Sequence, residues 1–89
     1  VPVQILKIVN EKGLHARASA KFVEVVEAHE ASAQVSKDGM TVSGDSIMGL
    51  LMLAASRGTV IAVETTGPEA EPLGDALKQL VADRFGEEY

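Results

Sequence analysis

Eighty-nine residues allow one domain with a modest core and no second lobe to form a cleft, so any functional site is expected on the surface. A net charge of -5 argues against a nucleic-acid partner, whose phosphate backbone needs a basic surface, and the lack of cysteine excludes disulfides and thiolate metal sites. No apolar run reaches membrane-spanning length and the start has no signal-peptide pattern, which points to a cytoplasmic chain with no membrane insertion.

The two histidines have no further ligands at a recognisable spacing, so neither a metal nor another cofactor is expected. The opening on Val1 in place of methionine suggests processing or a designed start. With only Phe22, Phe85 and Tyr89 aromatic, the core is expected to be aliphatic and alanine-rich, without platforms for stacking bases.

Val3 to Val9 reads as a first strand, apolar on both faces as near the centre of a sheet. Asn10-Glu11-Lys12-Gly13 supplies turn chemistry, and helical spacing follows from Ala16 to Ala28. On that helix Ala16, Ala20, Phe22, Val23 and Val26 share one arc, and Arg17, Lys21 and Glu24 share another. Ala33-Gln34-Val35-Ser36 and Met40-Thr41-Val42-Ser43 flank Lys37-Asp38-Gly39, whose Asp-Gly predicts a tight hairpin.

Ser46 is the natural N-cap of a second helix running from Ile47 to Ala55, with Ser56-Arg57-Gly58 ending it. Thr59 to Thr65 is β-branched and reads as a strand closed by Gly67-Pro68. Leu73, Ala76, Leu77, Leu80 and Val81 follow helical spacing, with Pro72 in the first turn, and this third helix is expected to end near Gly86 and leave a frayed acidic tail. The order β-α-β-β-α-β-α predicts an α/β two-layer sandwich (α+β), a four-stranded antiparallel sheet covered on one face by three helices.

His15 stands where the first extended segment gives way to the first helix. The leading amides of a helix lack carbonyl partners and carry the positive end of the dipole, so they attract an anion such as phosphate. A neutral imidazole there places a nitrogen nucleophile beside a phosphate cradle, and the dipole disfavours its protonated form. Taken alone, His15 reads more simply as a surface histidine or a local cap. Arg17 and Lys21 put two like charges on one face, which an anion would relieve and a solvated surface would tolerate. No carboxylate or second base is tied to the His15 motif by sequence, which disfavours hydrolytic chemistry.

The second helix is apolar almost all round, more than a short helix on a single sheet can easily bury. Leu50, Leu53 and Ala54 suit the core, while Ile47, Met48 and Leu51 on the adjoining arc suit either the core or a docked partner. Ser46 is most simply a cap, in a place where a phosphate is also physically allowed. His29, near the end of the first helix, reads as a surface or C-terminal dipole partner.

Gly13-Leu14-His15-Ala16-Arg17, Ser46-Ile47-Met48-Gly49 and Ser56-Arg57-Gly58-Thr59 together closely resemble HPr, the histidine-containing phosphocarrier of the phosphoenolpyruvate-dependent sugar phosphotransferase system, over nearly the whole chain. The resemblance implies a relay, in which a phosphoryl group passes from enzyme I to Nδ1 of His15 and on to a IIA component. This makes the protein a transfer intermediate, not a free-standing turnover enzyme. It further implies that Arg17 offsets phosphoryl charge, with the backbone N–H groups of Ala16, Arg17 and Ala18 as cradle. Ser46 matches a regulatory serine served by an HPr serine kinase/phosphatase.

Partners are expected to dock on Ile47, Met48, Leu51, Ala20 and Lys21 of a monomer. Ala18 replaces a proline found in many members, and Glu24, Glu27 and Asp45 stand where several have lysines, which reduces the basic rim. Leu50 to Thr59 and Thr66-Gly67-Pro68 are also similar to the nitrogen-branch paralogue, so both branches stay open. An acidic protein-binding module with a merely structural His15 is the reading from another class.

Overall fold

The computed structural model describes residues 2–88; the start at Val1 and the end of the acidic tail at Tyr89 lie outside them. Strand β1 spans Val3–Lys7, helix α1 Ala16–Glu27, β2 Ser32–Lys37, β3 Met40–Ser43, α2 Ile47–Met52, β4 Val60–Thr66 and α3 Ala70–Ala82. The four strands form one antiparallel sheet in the order β1-β4-β2-β3, which the three helices cover in a two-layer sandwich. Leu6 faces Ile61 in register, and Val35 faces Val63, so the period-two alternation sends these four to the same buried layer. Phe22, Leu50, Leu73 and Leu77 meet them from the helices, completing the aliphatic core that the composition implies.

The hairpin follows the expected chemistry. Asp38 and Gly39 have φ of 50° and 82°, the pair of positive values that the tight two-residue turn between β2 and β3 requires. Pro72 lies in the first turn of α3, where its missing N–H removes no helical bond.

Other expectations are corrected. β1 is an edge strand, not a central one, and its Val3 and Ile5 are 53% and 67% exposed. Branched residues suit the pleated backbone whether or not the outer face is covered, so their presence on both faces did not locate the strand. β1 also ends at Lys7, although the bonds Ile8 N to Thr59 O (2.8 Å) and Gly58 N to Ile8 O (2.7 Å) carry the pairing slightly further.

On α1 the buried stripe is Ala18, Ser19, Phe22, Val23 and Val26, with Ala16 exposed and Ala20 half-buried. Alanine is tolerated on either side of a helix; the large Phe22, Val23 and Val26 set which face turns inward. Helix α2 stops at Met52, short of Ala55, because Ala54 takes a left-handed conformation (φ 52°) and is exposed instead of joining the core.

Helix α3 ends at Ala82, short of Gly86, and among the described residues the chain beyond it is held by contacts as far as Glu87. Arg84 and Phe85 both have positive φ, 56° and 55°, in a tight turn spanning Arg84–Gly86 that drives the Phe85 ring into the core with no exposed surface. Left-handed backbone costs about 1–2 kcal/mol per residue. Burying a phenylalanine ring returns a comparable amount, about 1.5–3 kcal/mol, and backbone bonds from Gly86 N to Asp83 O and Glu87 N to Arg84 O fix the turn.

Candidate functional site

The loop between β1 and α1 is held from below by Asn10, which is fully buried. Its Nδ2 donates to Gly13 O (2.8 Å) and to Glu87 Oε1 (3.0 Å), while Gly13 N donates to Asn10 O (3.2 Å). Gly13 has φ +66°, and a Cβ there would collide with the Ala55 carbonyl and lie 2.8 Å from Ser56 Cα. Only glycine allows this approach, which lets Leu14 N donate to Ala55 O at 2.9 Å and ties the loop to the end of α2.

His15 occupies the N-cap position of α1 with an extended backbone (φ -76°) and makes no side-chain cap bond. The first intrahelical bond runs from Ser19 N to His15 O (2.8 Å). The amides of Ala16, Arg17 and Ala18 therefore precede the helical ladder and have no carbonyl partner within it. Arg17 is exposed and, among the described residues, makes no ion pair or side-chain hydrogen bond. Its guanidinium is available to an incoming anion. Lys21 differs, since its Nζ donates to Phe85 O (2.7 Å) and is thereby committed to the tail.

The His15 side chain is 27% exposed, and its Nε2 meets Oε2 of Glu87. This corrects the expectation that no carboxylate is tied to the histidine. The ring thus stands at a positive helix end with a carboxylate against Nε2. Burial by itself would raise the Glu87 pKa, but hydrogen bonds from Asn10 and His15, with the charges of His15 and Lys12, outweigh burial and hold the carboxyl below its ordinary value. Nδ1 has no hydrogen-bond partner among the described residues.

Two depressions adjoin at Lys12. One, of about 220 Å³, is lined by Lys12, Leu14, His15 and Ala54 to Ser56. The other, of about 610 Å³, is lined by Glu11, Lys12, Arg17, Lys21, Gly86, Glu87 and Glu88, and His15 does not line it.

The structure thus brings His15, Arg17, Lys21 and the leading amides of α1 to one end of the molecule. The far end of α2 reaches the same place through Ala54 and Ala55. Ser46 caps the opposite end of α2, its Oγ accepting from Gly49 N at 3.0 Å. From that cap to Met52 the helix runs about 9 Å. Ile47 and Met48 are 40% and 70% exposed, Leu51 is half-buried and Leu50 is fully buried. Met52, 66% exposed, extends the apolar surface; it lies four residues after Met48, the helical repeat that could have identified it. Glu24, Glu27 and Asp45 are exposed, with Asp45 accepting from Ser43 Oγ (2.5 Å). His29 Nδ1 donates to Val25 O (2.8 Å), satisfying a carbonyl in the last turn of α1.

Glu87 and Asn10 are the site residues that sequence reasoning missed. The available signal was Phe85, an aromatic residue placed just past the last periodic turn of α3, where a solvated tail has no use for one. Among the described residues no group of three or more candidate ligands could hold a metal, and no helix is long and apolar enough to cross a membrane.

Comparison with known proteins gives one result. The family model of the PTS HPr component phosphorylation site matches residues 3–83. Phosphocarrier protein HPr of Cupriavidus necator is 45% identical over 80 residues, covering 90% of each chain, and that of Neisseria meningitidis is 45% identical over 84 residues, covering 94% of each. A crystal structure of HPr-C-His from Thermoanaerobacter tengcongensis superposes with a TM-score of 0.95 at 35% identity, covering 100% of both chains. The chain belongs to the HPr family, the phosphocarriers of the phosphotransferase system.

Proposed function

We propose that the protein accepts a phosphoryl group on Nδ1 of His15 from phosphorylated enzyme I and passes it to a IIA component of the phosphotransferase system. The observation that carries this reading is the placement of His15 at the head of α1, beside three amides outside the helical ladder and the unpaired guanidinium of Arg17. Phosphoryl transfer needs in-line positioning and stabilisation of charge on the equatorial oxygens more than covalent chemistry from the protein. The amides of Ala16, Arg17 and Ala18 supply fixed donors for those oxygens, and Arg17 supplies the compensating charge. No cofactor takes part.

Enzyme I and the IIA component dock on the apolar surface of α2, through Ile47, Met48 and the exposed edge of Leu51, with Ala20 and the stem of Lys21 beside it. Ser46 is the regulatory site for an HPr serine kinase/phosphatase. A dianion on its Oγ would stand next to Ile47 and Met48 and make their burial against a partner unfavourable. The protein works as a cytoplasmic monomer.

The test is incubation with enzyme I and labelled phosphoenolpyruvate. An acid-labile, base-stable label that disappears in His15→Ala is expected, and an unlabelled wild type would refute the reading. Presenting the labelled protein to sugar-type and nitrogen-type IIA acceptors then assigns the branch.

A further inference from the structure

Glu87 reaches His15 across 72 positions of sequence, and three independent contacts bring it there. Phe85 is sealed in the core, Lys21 Nζ holds the Phe85 carbonyl at 2.7 Å, and Asn10 Nδ2 holds Oε1 of Glu87 at 3.0 Å. The remaining carboxylate oxygen, Oε2, meets Nε2 of the imidazole. An ionised carboxylate has only lone pairs to offer, so the nitrogen facing it must carry the proton. A neutral ring held this way keeps its lone pair on Nδ1.

We propose that Glu87 is a positioning residue for phosphoryl transfer: it pins a proton on His15 Nε2, so that Nδ1 gains and loses the phosphoryl group with no proton moving. The inference rests on the carrier reading above. In the inward step the Nδ1 lone pair forms the N–P bond, while the bond from phosphorus to the donor histidine of enzyme I breaks and its electron pair returns to that donor. The ring keeps its Nε2–H and becomes a cationic phosphoimidazolium, whose charge the Glu87 carboxylate balances from the side opposite the phosphoryl group. In the outward step the N–P electron pair returns to Nδ1 and the ring leaves as neutral imidazole, the same tautomer that began the cycle. Without the carboxylate the phosphorylated ring would lose its Nε2 proton more readily, and transfer outward would have to expel an imidazolate or wait for a proton.

Lys12 lines the same depression as the ring, and the adjoining depression adds Glu11 in the preceding loop, Arg17 and Lys21 on α1, and Glu88 beside Glu87 in the tail. Among the described residues, Glu87 is the one whose carboxylate contacts a ring nitrogen of His15.

Three proteins decide the matter: wild type, Glu87→Gln, which keeps one oxygen able to accept from Nε2–H when its amide nitrogen turns toward Asn10, and Glu87→Ala, which has no acceptor. Nitrogen-15 spectra of the ring are expected to show wild-type Nε2 protonated, both free and phosphorylated, at a mildly alkaline pH at which phosphorylated Glu87→Ala has lost that proton. Transfer from the labelled protein to a IIA acceptor is expected to slow about tenfold in Glu87→Ala, with substantial recovery in Glu87→Gln.

A wild-type ring with its neutral-state proton on Nδ1 would overturn the proposal without reference to any variant, so a misfolded variant cannot shelter it. Equal transfer rates and equal ring protonation in all three proteins would also overturn it while leaving the carrier reading intact. A wild type that takes no label from enzyme I would remove both.

Discussion

At the residue scale the site depends on Glu87 being ionised. Its carboxyl titrates below the ordinary value of 4.5: burial opposes ionisation, but the Asn10 and His15 hydrogen bonds and the nearby charges of His15 and Lys12 outweigh it. A carboxyl whose pKa is lower in the folded state than in the unfolded chain adds stability that is present above the unfolded value and is lost as pH falls through the folded one. The sensitive window therefore lies below about pH 4.5. Urea midpoints at pH 7 and pH 3 should differ more for wild type than for Glu87→Gln, which has no charge to lose; equal differences would show that the carboxylate contact adds nothing to stability. The placement of His15 and Arg17 at a helix start and the Ser46 cap were readable because their signals are local, each resting on a helix start a few residues away. Asn10 read as a turn residue, and its buried bond to a carboxylate 77 positions later has no local signature.

The elements are joined by backbone that departs from the common conformations where α2 meets the His15 loop. Ala54 is left-handed and exposed, so its methyl group adds steric cost without burying surface. Glycine takes this conformation freely but loses more entropy on folding, which cancels part of the gain. Ala54→Gly is therefore expected to stabilise the protein by about 0.5–1 kcal/mol, raising the melting temperature by a few degrees on the scale usual for a domain of this size. A lower melting temperature would mean that the methyl contributes packing the exposure does not suggest. Periodicity identified every strand and helix, because each carries several apolar residues at the proper spacing. It misplaced the end of α2, since Leu53 and Ala55 are both buried on either side of a residue that is no longer helical. Burial continued the apolar pattern after the hydrogen-bond ladder had stopped. The edge position of β1 was beyond reach for a related reason: strand order depends on which partners pair across the chain, and the pairing of β1 with β4 joins residues more than fifty positions apart.

At the scale of the whole molecule the last described residues close the structure. The Arg84–Gly86 turn packs against α3 and α1, and its neighbour Glu87 reaches the loop after β1, so the described part of the tail is tied to the His15 site. Phe85 is the anchor, and with only three aromatic residues in the chain it is one of the two largest side chains wholly removed from solvent. Truncating a buried phenylalanine to alanine costs about 3–5 kcal/mol through lost transfer energy and the cavity left behind. A domain with a total stability of about 5–15 kcal/mol gives up a large part of it this way. The loss need not be global, because two left-handed residues held in place by the ring would be free to relax once it is gone. Phe85→Ala is therefore expected to release the tail before the sheet: amides of β2 and β4 should stay protected from hydrogen exchange while those of Gly86 and Glu87 lose protection, and the His15 ring should show the same nitrogen-15 signature as in Glu87→Ala. Uniform loss of protection across the sheet at native pH would instead make Phe85 part of the cooperative core, and the tail could not then be treated as a latch that opens by itself.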